Sequence, residues 1–110
     1  MNTESHEKLE ALWKRGTDFL GTKYAIMGGA MSWLSESNLV SALSNAGGFG
    51  VIACGSMSPD LLSKVIVETQ AKTDKPFGVN LITMHPDIDA LIDVTLANNV
   101  KFVVLAGGIP

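Results

Sequence analysis

Phe77-Gly78-Val79-Asn80-Leu81-Ile82 decides how this chain is read. Asn80 is its one polar residue, and polar and apolar positions do not alternate. A strand of that kind is buried on both faces, as strands of a parallel sheet are. Three further apolar runs resemble it: Tyr24–Met27, Phe49–Cys54 and Lys101–Leu105. Their starts lie 24 to 28 residues apart. That spacing is too long for hairpins and suits strand–helix–strand units.

The intervening segments read as helices. Ser35 is placed to cap one, with Leu39, Ala42, Leu43 and Ala46 on one face and Gly47 as its stop. Ser58-Pro59-Asp60 opens another, with Leu61, Leu62, Val65 and Ile66 inward. Pro86-Asp87 opens a third, with Ile88, Leu91, Ile92 and Leu96 inward and an end near Asn98-Asn99. An earlier helix spans about Ser5 to Lys14 and is stopped by Gly16. The order is one N-terminal helix, three strand–helix units and a fourth strand. Such an α/β chain completes either an open doubly wound sheet or a closed TIM-type (β/α)8 barrel. Four strands in 110 residues are half of a barrel of about 250 residues. The last strand runs into Gly107-Gly108 and Pro110 with no helix to cover it. We therefore expect the N-terminal part of a longer chain, with a small autonomous domain as the alternative.

Composition narrows the class. Lys and Arg number 8 against 11 Asp and Glu, for a net charge of −3. There is no basic field for a nucleic-acid backbone. A single cysteine excludes an internal disulfide and fits a reducing compartment. No apolar run approaches the roughly 18 residues of a membrane span. The polar, acidic start, Asn2-Thr3-Glu4-Ser5-His6-Glu7, does not read as a signal peptide. The expectation is a soluble, cytoplasmic protein with neither nucleic-acid nor membrane partners.

Glycines mark the loops. Gly48-Phe49-Gly50-Val51-Ile52-Ala53 has the letters of a dinucleotide fingerprint but follows a helix and opens a strand. The fingerprint needs the reverse order, so these glycines read as a helix stop and a tight turn. Met27-Gly28-Gly29-Ala30-Met31-Ser32-Trp33 follows the first strand, on the side where parallel α/β folds bind ligands. It reads either as a bed where backbone N–H groups meet a flat or anionic ligand, or as a tight loop with Met31 and Trp33 packed on the core. Asn80 needs partners, either a ligand or neighbouring backbone. Ala106-Gly107-Gly108 repeats the small-residue theme after the fourth strand. Cys54 reads as a small buried hydrophobe and His85 as a solvated or capping residue. No metal-ligand spacing, P-loop, nucleophile elbow or carboxylate pair marks the rim.

Three motifs carry a resemblance. Gly29-Ala30-Met31-Ser32-Trp33, Ser44-Asn45-Ala46-Gly47-Gly48-Phe49-Gly50 and Thr73-Asp74-Lys75-Pro76-Phe77-Gly78-Val79-Asn80-Leu81 are similar to the nitronate monooxygenase (2-nitropropane dioxygenase) family, which includes flavin-dependent enoyl-acyl carrier protein reductases. The likeness runs from about Tyr24 to Pro110. It implies an FMN-binding TIM barrel with a smaller second domain, of which residues 1–110 are the N-terminal half. It implies flavin contacts from Gly29, Ala30, Met31 and Ser32, a hydrogen bond from Asn80, and Gly107 lining the cofactor. The implied reaction is oxidation of alkyl nitronates with dioxygen. The rival within the family is NAD(P)H-driven reduction of an enoyl thioester. Those reductases often carry Gln-Gly-Gly-Met-Ala where this chain has Gly28-Gly29-Ala30-Met31-Ser32. The family's catalytic histidine and phosphate loops fall beyond residue 110, so no residue here inherits a catalytic role; His85 does not match. A different class of reading is a non-catalytic half-barrel that forms a homodimer, two copies of four strands closing one barrel.

Overall fold

The computed structural model describes residues 2–110. Its elements, in order, are α1 (Thr3–Leu20), β1 (Met27–Gly28), α2 (Ser37–Asn45), β2 (Phe49–Ala53), α3 (Pro59–Lys72), β3 (Phe77–Ile82), α4 (Ile88–Ala97) and β4 (Phe102–Ala106). The four strands form one parallel sheet in the order β1-β2-β3-β4. Sequential order and three helices on one face decide between the two completions. A doubly wound sheet reverses its order and carries helices on both faces. This sheet does neither, so it is a sector of a (β/α)8 barrel wall.

Each face has its own core. On the outer face Ile52, Cys54, Val79 and Leu81 of the sheet meet Val40 of α2, Leu62, Val65 and Ile66 of α3, and Leu91 of α4. On the inner face Phe49 and Val51 meet Phe102, Val104 and Ala30. The C-terminal end of α1 closes the lower end of that face. Leu20 joins its core, and the Phe19 ring sits edge-on to Phe102 at 5.6 Å. Among the described residues no helix is long and apolar enough to cross a membrane.

Several sequence expectations are corrected. The first strand is not Tyr24–Met27 but the short Met27–Gly28. Tyr24 is drawn elsewhere: the Thr22 hydroxyl donates to its carbonyl at 2.7 Å, and Trp13 packs edge-on to its ring at 5.8 Å. The N-terminal helix is longer than Ser5 to Lys14. Asn2 caps it, and Gly21, at φ +70°, ends it. Gly16 lies within the helix, where a Cβ would stand 3.1 Å from that of Ala25, so its smallness brings α1 close to the segment before β1. Ser35 does not cap α2; the Glu36 carboxylate does, accepting from the amides of Asn38 and Leu39.

The buried face of α2 is Ser37, Val40, Ser41 and Ser44, whereas Ala42 and Ala46 are exposed. Small residues win here because the helix lies very close to β2. Ser44 Oγ accepts from Gly50 N–H at 3.1 Å and donates to the Pro76 carbonyl at 2.8 Å. In α3, Thr69 joins Leu62, Val65 and Ile66 inside, while Leu61 is 40% exposed. In α4, Leu91 and Thr95 are buried and Leu96 is open to solvent. The buried hydroxyls of Thr69 and Thr95 each donate to the carbonyl one turn back, which satisfies them within their helices.

Gly50 sets the α2–β2 distance. A Cβ there would stand 2.5 Å from the Val40 carbonyl oxygen and 2.9 Å from Val40 Cα. Both are backbone atoms, so relief requires the whole helix to shift. Gly50→Ala is expected to cost about 1–3 kcal/mol, read as a lower urea midpoint; an unchanged midpoint would show that α2 is not tightly seated.

Candidate functional site

All four strands point their C-terminal ends the same way, so the loops that follow them share one rim. The β1–α2 loop supplies Gly29, Ala30, Met31 and Ser32. Gly29 is exposed, and a Cβ on it would meet nothing within 4 Å. Ala30 packs on the inner face beside Phe49 and Val51. Met31 is 48% exposed and Ser32 is exposed. Trp33 has φ +70° and is 78% exposed. A left-handed backbone at so bulky a residue is strained and must be held by its surroundings.

The loop on either side of Trp33 is braced by Ser35, which caps no helix. Ser35 is 3% exposed. Its Oγ accepts the Met31 N–H at 2.8 Å and lies 3.5 Å from the Gly29 carbonyl, to which it donates. Its own N–H donates to the Met31 carbonyl at 2.8 Å. Its carbonyl accepts from Ala53 N–H at 3.0 Å, which ties the loop to the end of β2. The expectation of free loop amides needs correcting at Met31, whose N–H is taken. Among the described residues, the amides of Ala30, Ser32 and Trp33 have no partner.

Asn80 lies on the inner face, in register with Ala53 of β2 and Val104 of β4. Its Nδ2 donates to the Val104 carbonyl at 3.2 Å. Its Oδ1 accepts no hydrogen bond from the described residues. Asn80 thus satisfies both readings at once: half of the carboxamide is tied to backbone and half is open.

Gly107 follows β4 at φ +78°, and a Cβ there would stand 2.6 Å from Ile82 Cγ2. Conformation and space both call for glycine. The Thr83 amide donates to the Ala106 carbonyl at 2.9 Å and stitches the ends of β3 and β4 together. Thr83 was not singled out in the sequence, because a Thr after an apolar strand carries no distinctive signal.

Two other residues fall away from the site. Cys54 is fully buried on the outer face, and its Sγ–H donates to the Asn80 carbonyl at 2.8 Å. Burial pushes the thiol up to about 11, so it stays protonated. His85 Nδ1 accepts from the Asp87 N–H at 2.9 Å at the entrance to α4. A separate groove of about 300 Å³, lined by Thr73–Phe77 and Asn99–Phe102, opens at the opposite end of the strands.

Comparison with known proteins places this chain in a family. Residues 14–106 match the family model described as nitronate monooxygenase. Over 85 residues the chain is 34% identical to the (3aS,4S,5R,7aS)-5-hydroxy-7a-methyl-1-oxo-octahydro-1H-indene-4-carboxyl-CoA dehydrogenase of Mycobacterium tuberculosis, covering 77% of this chain and 24% of that protein. It is 40% identical over 75 residues to the nitronate monooxygenase of Paraburkholderia phytofirmans, covering 67% of this chain and 20% of that protein. The structure of FabK from Thermotoga maritima superposes with a TM-score of 0.83 at 44% identity, covering 86% of this chain and 30% of that one. The chain thus spans about a quarter of the length of the curated relatives it matches. With the motifs, the barrel-wall topology and the family match in agreement, the chain belongs to the nitronate monooxygenase family.

Proposed function

We propose that residues 1–110 are the first half of an FMN-binding barrel, and that Gly29, Ala30, Met31, Ser32, Asn80 and Gly107 bind the cofactor of a cytoplasmic oxidoreductase. The observation that carries this reading is the shared rim. Two glycine-containing loops and one half-open carboxamide stand toward the C-terminal ends of β1, β4 and β3 of one sheet, over an inner face already lined by Ala30, Val51 and Val104. These residues fit a flavin. The open space at Gly29 admits a flat ring to the backbone. The amides of Ala30 and Ser32 are donors for the acceptors along a ring edge, and Asn80 Oδ1 is an acceptor for a ring N–H. Met31 contributes through its exposed side chain, since its amide is occupied.

When bound, FMN supplies the electron-transfer chemistry that these side chains lack. The chain's own part is to orient the ring and to exclude water beneath it. The inner-face side chains supply that dry floor. Neither Cys54, buried and protonated, nor His85, tied to its own helix entrance, serves as a base.

The substrate class in this reading is a small alkyl nitronate, oxidised with dioxygen. Support comes from the family match and from the relative named nitronate monooxygenase. A second reading, reduction of an enoyl thioester with NAD(P)H, has its own support: another relative is named as acting on a carboxyl-CoA compound.

The complete protein that begins with these 110 residues, mixed with FMN and desalted, is expected to stay yellow, absorbing near about 450 nm. Asn80→Ala is expected to weaken FMN retention about five- to tenfold, the equivalent of one hydrogen bond; retention equal to wild type would remove Asn80 from the site. Oxygen uptake with propyl-2-nitronate and NADPH oxidation with crotonyl-CoA, run on the same FMN-loaded protein, separate the two substrate classes. Nitronate-dependent oxygen uptake is the expected result, and thioester-dependent NADPH oxidation alone would reverse the assignment.

A further inference from the structure

We propose that Ser35 is the positioning residue of the cofactor-facing loop, a role that rests on the flavin reading above. Its geometry differs from that of an ordinary structural serine. Four hydrogen bonds converge on this one residue, two at the hydroxyl and two at the backbone. All are internal to the rim: three bind Gly29 and Met31 within the loop, and the fourth binds Ala53 at the end of β2. The hydroxyl is buried behind the loop, so it takes no part in ligand contact itself.

The consequence is selective. By accepting the Met31 N–H, Ser35 removes that donor from the rim. The neighbouring amides of Ala30 and Ser32 remain without partners. Ser35 thereby chooses which backbone donors the loop offers. It also closes the loop across Trp33, whose backbone stands at φ +70°, a conformation that costs energy at a bulky residue. A loop freed from Ser35 would relax toward ordinary backbone angles and scramble the donor pattern. Preorganised donors bind better than donors ordered at the moment of binding.

The test uses the complete barrel protein that begins with these 110 residues, and FMN, read by flavin fluorescence, with amide hydrogen exchange and the thermal midpoint measured in parallel. Ser35→Ala is expected to weaken FMN binding about fivefold, the equivalent of one lost hydrogen bond. Exchange at the Met31 amide should quicken while the amides of β2 and β3 keep their protection. Ser35→Thr, which keeps the hydroxyl, should restore binding. Ser35→Cys, close to serine in size but a weak acceptor, should behave like Ser35→Ala without leaving a cavity.

FMN affinity unchanged in both Ser35→Ala and Ser35→Cys would overturn the proposal. So would equal losses in all three variants accompanied by a lower thermal midpoint, since that is the signature of simple destabilisation. A wild-type chain that binds no FMN overturns the flavin reading, and this role with it; that outcome is told apart because it appears before any substitution is made.

Discussion

The Ser44 hydroxyl joins three elements of this fold. It sits on α2, accepts from the N–H of Gly50 on β2 and donates to the carbonyl of Pro76, just before β3. A helix can reach a strand so closely only where the strand residue lacks a side chain, and Gly50 meets that condition. The position of α2 then follows, and with it the loop that enters α2. Glu36 caps the helix on one side of that entry and Ser35 braces the loop on the other. For Glu36, burial alone would raise the carboxyl. The amides of Asn38 and Leu39, the Ser37 hydroxyl and the Lys72 ammonium outweigh that and hold it below the ordinary range. The rim geometry therefore depends on packing two layers below it.

Much of this architecture was legible in the sequence, and the failures have physical causes. Phe77–Ile82 reads as a buried strand, and it is a strand over all six residues, with Gly78, Val79 and Leu81 buried and the other three half-buried. Pro59 after Ser58 marks the start of α3 because proline fits the first helical turn and serine caps it. The buried face of α2 differs from the one hydropathy selects, because hydropathy ranks leucine above serine. A buried serine pays its way only through specific bonds, and no periodicity reveals those. Tyr24 looks like a strand residue until its ring is claimed by Trp13 of α1, a contact between segments that sequence reading treats separately.

The candidate site was legible in outline. Small residues after parallel strands pointed to one rim, and Asn80 stood out as the single polar residue of its strand. Which amides are open was not legible, because that depends on the rotamer of Ser35. The half-occupied state of the Asn80 carboxamide was equally hidden, since it depends on the β3–β4 register. The outer face holds the reactive-looking Cys54 in a dry, packed setting, and the inner face holds the open polar groups. That difference between the two faces is why the inner rim is the candidate site.

The central claim is that a flavin sits on this rim. An amide-resolved NMR titration of the complete barrel protein with FMN tests it directly. The account predicts shifts at the amides of Ala30, Ser32 and Gly107 and at the Asn80 side-chain amide, with the far ends of the strands unmoved. Shifts confined to the opposite groove between Thr73–Phe77 and Asn99–Phe102, or none at saturating FMN, would contradict it.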